Sequence, residues 1–67
     1  MTFKYQPDPK RFPDKDYRLK LKIAFALWWE KKLTQKEAAI RAGITQIQFI
    51  RAKTDWQKQR LAYEAKL

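Results

Sequence analysis

The side chains that could do chemistry in this sequence form hydrogen bonds and carry positive charge, whereas the usual catalytic groups are missing. The 67 residues include no cysteine and no histidine, which excludes disulfides, thiolate metal sites and the commonest general base. Seven Asp and Glu residues remain, and none is paired with a suitable nucleophile at helical spacing. We therefore expect no catalytic residues, no metal site, no cofactor and no small-molecule substrate, and the chain is not predicted to be an enzyme.

Positive charge dominates the composition. Sixteen Lys and Arg residues stand against seven Asp and Glu residues, for a formal net charge of +9 at pH 7. The charge is spread along the chain, with nine basic and four acidic residues in positions 1–33 and seven and three in positions 34–67. Such a surface attracts polyanions, so nucleic acid is the expected partner. The alternative is that some lysines only solvate the outer faces of helices.

Residues 34–54 contain the signals for two short helices with a turn between them. Thr34 with Glu37, and Thr45 with Gln48, have the spacing of capping boxes, in which the threonine oxygen accepts from a first-turn amide while the Glu or Gln side chain reaches back. Gly43 follows the last apolar residue of the first helix, where a left-handed residue closes a helix at low cost. This spacing is typical of a DNA-reading helix-turn-helix.

The same stretch resembles the helix-turn-helix of phage repressor and Cro-type proteins and the N-terminal motif of phage terminase small subunits. The residues that carry the resemblance are Gln35 at the opening polar position, Ala39 where the helices cross, Gly43 in the turn, and Ile44, Phe49 and Ala52 on the second helix. The resemblance implies sequence-specific binding of double-stranded DNA, most simply by a small phage-type or bacterial transcriptional regulator. A DNA-recognition module of a packaging or recombination complex is one alternative. A protein-interaction module that binds a host or phage protein is another.

In a helix-turn-helix the second helix enters the major groove with its N-terminal residues on the base edges. Gln pairs with adenine, Arg with guanine, and apolar side chains contact the methyl group of thymine. The predicted base-contacting residues are Thr45, Gln46, Ile47, Gln48, Ile50 and Arg51, with Gln46 and Arg51 first among them. The competing interpretation is that Gln48 serves the capping box and that the two isoleucines pack against a last helix.

Phosphate contacts position a protein on DNA without reading its sequence. They are predicted for Gln35, Lys36, Arg41, Lys53 and Lys58. For each of these residues, the alternative is a solvated side chain with no role in binding.

Residues 1–13 hold all three prolines, which disfavours a helix and predicts an extended arm. Its aromatic residues would anchor it on the body of the protein, which is the favoured interpretation. Alternatively, its basic residues Lys4, Lys10 and Arg11 would follow a phosphate backbone or enter a minor groove.

Asp14 or Asp16 would cap the next helix, which we expect from about Lys15 to Lys32. Near the C-terminus, Thr54 with Gln57 predicts a break in the recognition helix and the start of another. The alternative is one uninterrupted helix from Gln46 to the end, since no glycine or proline separates them.

The helix over residues 15–32 has two apolar stripes where a surface helix needs only one. One stripe is Leu19, Ile23, Ala26 and Leu27, and the other is Leu21, Ala24, Phe25, Trp28 and Trp29. The surplus would be covered by the N-terminal aromatic residues, by the C-terminal segment or by a second copy in a homodimer. Stacking of a nucleobase on Trp28 or Trp29 is a lesser alternative.

These patterns predict an all-α fold, a small helix-turn-helix bundle of three to four helices with an extended, proline-containing N-terminal arm. The arm would span residues 1–13 and the DNA-binding domain residues 14–67. The longest uncharged apolar run, residues 23–29, is far shorter than the roughly 20 residues that span a bilayer. We therefore expect no membrane contact and a cytoplasmic, nucleoid-associated location, which is the host cell cytoplasm if the protein is phage-encoded. Met1 favours a complete small gene product over a fragment.

Overall fold

The computed structural model describes residues 3–66 and contains three α-helices in that range, α1 (Lys15–Trp29), α2 (Gln35–Ala42) and α3 (Gln46–Ala65). No strand occurs among these residues. The predicted all-α class is therefore confirmed. Residues 1, 2 and 67, which belong to the predicted arm and domain, lie outside the described range.

Helix α1 begins where the sequence predicts and ends three residues early. Asp14 is its N-cap, and the carboxylate accepts a hydrogen bond from the amide two residues on at 3.0 Å. Beyond Trp29 the chain turns, because Lys32 has a left-handed backbone with a φ of +57°, and the Leu33 amide donates to the Leu27 carbonyl at 3.3 Å. The predicted end at Lys32 is wrong, since this turn returns Leu33 to the core.

The caps around α2 form as the sequence indicates, with one exception. The Thr34 hydroxyl accepts from the Glu37 amide at 3.1 Å, but the Glu37 carboxylate lies 3.1 Å from the Arg41 guanidinium. Only half of the predicted capping box is therefore made. Gly43 ends the helix with a φ of +83°, the left-handed conformation that glycine adopts without strain.

Helix α3 begins with a complete capping box. The Thr45 hydroxyl accepts from the Gln48 amide at 3.0 Å, and the Gln48 side-chain oxygen accepts from the Thr45 amide at 2.9 Å. The helix then continues for 20 residues, so the predicted break at Thr54 is wrong and the uninterrupted alternative is right. The physical reason is packing: an unbroken helix keeps Trp56 on the buried face that carries Phe49, seven residues earlier.

Residues 3–14 lie outside the helices and pack against α1 and α3. Tyr5 and Phe12 are buried, and the Tyr5 hydroxyl donates to the Asp55 carboxylate at 2.8 Å. The Gln59 side chain pairs with the backbone of Gln6, accepting from its amide at 2.9 Å and donating to its carbonyl at 2.6 Å. Tyr5 and Phe12 therefore anchor this segment on the helices.

The core is a stack of aromatic rings between α1 and α3. Phe25 lies between the rings of Phe49 and Trp56, with centroids 4.3 Å and 5.9 Å away and interplanar angles of 19° and 9°. Helix α2 completes the core with three small buried residues, Ala38, Ala39 and Ala42. Within the described residues no polar or charged residue is buried, so apolar packing holds this fold together.

One apolar stripe of α1 faces this core, and of the other stripe Leu27 is half-buried against it. Leu21, Ala24 and Phe25 are buried, whereas Leu19 and Ile23 remain exposed. Leu19 borders a groove that Pro7 and Pro9 of the N-terminal segment also line, and Leu19 and Ile23 are 57 % and 43 % exposed. Tyr5 of the N-terminal segment and Trp56 of α3 both pack on Phe25 in the second stripe. A second copy over Leu19 and Ile23 stays a prediction.

Candidate nucleic-acid interface

The first two turns of α3 present one face to the core and the other to solvent. Phe49 and Ala52 are fully buried on the inner side. The six predicted base-contacting positions are all exposed, namely Thr45, Gln46, Ile47, Gln48, Ile50 and Arg51. Their exposure follows from the helical period, because the buried pair sits three residues apart and leaves the opposite face free.

Two of these six side chains form the N-terminal cap of α3. The Thr45 hydroxyl and the Gln48 side-chain oxygen are both used in the capping box that begins α3. The cap satisfies amide groups that would otherwise have no partner at the helix start. The capping role considered for Gln48 is therefore confirmed, which reduces what this side chain can offer to a base.

Gln46 and Arg51 keep their hydrogen-bonding groups free. Within residues 3–66, neither the side-chain amide of Gln46 nor the guanidinium of Arg51 makes a hydrogen bond or an ion pair to another residue. They are exposed on the same two turns. A free amide and a free guanidinium can each form paired hydrogen bonds with a base edge.

Ile47 and Ile50 lie on the same surface as these polar groups. Ile47 is 64 % exposed and Ile50 is 50 % exposed. The interpretation that they pack against a last helix is wrong, because α3 continues unbroken past them and no separate helix follows in the described chain.

The five predicted phosphate-contacting residues are not equally available. Lys36 and Lys58 are exposed, but Lys58 lies 11 residues after Ile47, about 16 Å further along the helix at 1.5 Å per residue. Arg41 is engaged by Glu37. Gln35 is half-buried, and half-buried Lys53 places its ammonium 5.1 Å from the centre of the Trp28 ring.

Two basic residues from outside residues 34–54 reach this surface. The Arg11 guanidinium donates to the Arg51 carbonyl at 3.0 Å, and Lys20 of α1 lies over the turn, with its Cε 3.9 Å from where a Cβ on Gly43 would be. The sequence had indicated Arg11 as one of the basic residues of the N-terminal arm that could follow a phosphate backbone. No local signal in the sequence could have found Lys20, because its approach to the turn spans 23 residues of chain.

A half-buried tyrosine lies beside Arg51. Burial raises the pKa of Tyr17, and the nearby positive charge of Arg51 partly offsets the rise. Burial also raises the pKa of Tyr5, and its hydrogen bond to Asp55 acts in the same direction. Both phenols are therefore neutral at physiological pH, and neither adds charge to the surface around α3.

The tryptophans that were considered as stacking platforms are engaged within the protein. Trp28 packs edge-on against Phe49 and Trp56. Trp29 is 46 % exposed, but the Arg60 guanidinium lies 4.9 Å from the centre of its ring. A groove of about 440 Å³ between the N-terminal segment and these rings is lined by Phe3, Lys4, Tyr5, Gln6, Lys22, Phe25, Ala26, Trp29, Glu30 and Trp56.

No group of three or more carboxylate, cysteine or histidine side chains that could hold a metal ion occurs in the described part of the chain. Among the same residues, no helix has the length and apolar character needed to cross a membrane. No known protein family, curated protein or solved structure matches this chain. The features of this chain that bear on function are therefore the geometry of α2, the turn and α3 and the side chains that they expose.

Proposed function

We propose that this chain binds double-stranded DNA in a sequence-specific manner, with α2, the turn at Gly43 and α3 acting as a helix-turn-helix. The observation that carries the proposal is that Gln46 and Arg51 both lie on the exposed face at the start of α3. Their side chains make no hydrogen bond or ion pair within the described residues. The N-terminal turns of a recognition helix are the ones that meet base edges in the major groove.

The two polar side chains suggest which bases are read. Gln46 would pair with adenine through its N6 and N7 groups, and Arg51 would pair with guanine through O6 and N7. Thr45 and Gln48 mainly hold the start of α3 in place through the capping box. Their remaining hydrogen-bonding capacity makes secondary base contacts.

Phosphate contacts would come from three parts of the chain. Lys36 lies in the first turn of α2, Lys20 lies over the turn at Gly43, and the Arg11 guanidinium of the N-terminal arm donates to the α3 backbone. The net charge of +9 adds a long-range attraction to DNA. Lys53 and Arg41 contribute to the same field despite their contacts within the protein.

The biological role that suits such a module is that of a small phage-type or bacterial transcriptional regulator in the cytoplasm. One recognition helix reads only a half-site, so we expect a homodimer on a nearly palindromic site. The exposed apolar pair Leu19 and Ile23 on α1 is the candidate dimer surface. Sedimentation that shows a monomer both free and on DNA would exclude this arrangement.

The decisive experiment is selection from a random duplex library, followed by titration of the selected duplex at two salt concentrations. We expect an enriched motif and binding that weakens steeply with salt, because released counterions drive phosphate contacts. The spacing of half-sites would report the symmetry of the complex. Failure to bind any duplex at low salt would refute the proposal.

A second function is supported by one observation, the exposed isoleucines. Ile47 and Ile50 on one face of α3 are both at least half exposed, and apolar side chains on one face suit the groove of a protein partner. This candidate gains support only if the salt titration shows no duplex binding. A packaging or recombination role would still require DNA binding, so the same titration separates it from a protein-binding role.

A further inference from the structure

The positions of Ile47 and Ile50 are unusual for a helix surface. Single exposed apolar residues are normal on proteins, but these two lie one turn apart on the face that carries Gln46 and Arg51. Isoleucine is also a poorer helix former than leucine, lysine or glutamate. Helix propensity therefore gives no reason for isoleucine at either position, and no element of the described chain covers them.

The helix places the isoleucines between the two polar groups. Side chains three and four residues apart are neighbours on a helix, with Cβ atoms roughly 5–6 Å apart. Ile47 is therefore next to both Ile50 and Arg51, and Gln46 precedes it in the first turn. A duplex that meets Gln46 and Arg51 must also meet the apolar atoms of both isoleucines.

The major groove offers one apolar group for such side chains, the C5-methyl group of thymine. A 5-methylcytosine carries the same methyl group at the same ring position. We infer that Ile47 and Ile50 read C5-methyl groups of pyrimidines in the major groove. This inference rests on the proposed DNA-binding function and specifies which groups at the base edges are recognised.

The stiffness of isoleucine supports this assignment. A β-branched side chain in a helix has essentially one χ1 rotamer, so little conformational entropy is lost when it contacts a ligand. Both side chains are at least half exposed in the free protein, and contact with a methyl group removes apolar surface from water on both partners. Such a contact discriminates thymine from cytosine without a hydrogen bond.

The test compares the selected duplex with a copy in which uracil replaces thymine on both strands. Uracil keeps the hydrogen-bonding groups of thymine and lacks only the methyl group. We expect about fourfold weaker binding for each contacted methyl group that is lost, the value of one buried methylene group. Equal dissociation constants for the two duplexes would overturn the inference.

Matched variants connect the effect to the two side chains. Ile47→Ala and Ile50→Ala should each bind the thymine duplex more weakly and discriminate less between thymine and uracil. Leu61→Ala is the control, because Leu61 is as exposed as Ile47 on the same helix but 14 residues further along. If both isoleucine variants keep the full thymine preference, the assignment fails even though the protein binds DNA.

A third pair of duplexes identifies the source of the methyl group. The contacted thymine–adenine pairs are replaced by cytosine–guanine pairs, with and without a 5-methyl group on cytosine. Tighter binding to the methylated version shows that the methyl group is read on either pyrimidine. If methylation has no effect while uracil still weakens binding, the methyl group that is read belongs to thymine. Absence of binding to every duplex would instead refute the proposed function, so the two failures are distinguishable.

Discussion

The two halves of α3 differ in what their side chains contact. In the first half, residues 46–54, only Phe49 and Ala52 are buried, and most of the other side chains face solvent. In the second half, residues 55–65, Asp55 and Gln59 bind the N-terminal segment, and Trp56 belongs to the aromatic core. One helix therefore combines an exposed surface with an anchored end.

Cation–π contacts of Arg60 also anchor the second half of α3. The Arg60 guanidinium lies 4.9 Å from the centre of the Trp29 ring and 5.5 Å from that of Phe3, and these contacts join α3 to α1 and to the N-terminal segment. Because the second half is held in this way, the first half needs few contacts of its own to keep its orientation. Substitution of an anchoring residue in the second half should therefore change stability, and substitution of an exposed residue in the first half should change DNA binding.

The largest expected effect is that of Trp56→Ala. Removing a buried tryptophan costs about 3–5 kcal/mol, which is comparable to the total stability of a chain of this length, about 3–10 kcal/mol. Urea unfolding followed by circular dichroism measures the loss. Leu61→Ala, at an exposed position of the same half, should change the free energy of unfolding by no more than about 0.5 kcal/mol. Similar midpoints for the two variants would contradict the anchoring of this half.

In the first half, Arg51→Ala should weaken binding to the preferred duplex by about 1–3 kcal/mol and relax the choice of base at one position. Its urea unfolding should match that of the unmodified protein, because the guanidinium makes no hydrogen bond or ion pair in the described chain. Fluorescence anisotropy with preferred and random duplexes measures both quantities. Equal losses on the two duplexes would show that Arg51 contacts only the backbone.

Tyr5→Phe tests the contact between the N-terminal segment and the second half. It removes the 2.8 Å hydrogen bond to Asp55 and should lower the free energy of unfolding by about 1 kcal/mol. DNA affinity should stay the same. The matched control is Tyr17→Phe, which deletes a hydroxyl that has no hydrogen-bond partner among residues 3–66. A comparable loss in this control would show that the Asp55 contact is not the cause.

The smallest expected effect is that of Lys20→Ala on the salt dependence of binding. If Lys20 contacts a phosphate, its removal should weaken all sequences alike and reduce the slope of log K against log salt by about one. Lys66→Ala removes the same charge about 30 Å from the start of α3, by the rise of the helix. An unchanged slope for Lys20→Ala, or an equal change in both variants, would exclude the contact at the turn.

Local chemistry determined much of this structure from the sequence alone. The cap at Asp14, the hydroxyl caps at Thr34 and Thr45 and the left-handed Gly43 depend on hydrogen bonds within four residues. Such interactions are specified by residue type and spacing, because no distant part of the chain takes part in them. The exposed positions on the first half of α3 follow from the same helical period.

Tertiary structure decided the features for which local signals conflict or are silent. The sequence pattern at Thr54 predicts a cap, but burial of Phe49 and Trp56 on one continuous face outweighs a capping contribution of about 1 kcal/mol. Lys20 approaches the turn, and Gln59 binds the backbone of Gln6, only because the packed helices bring them together. A contact between distant residues depends on the packing of the whole core, so no short sequence pattern encodes it.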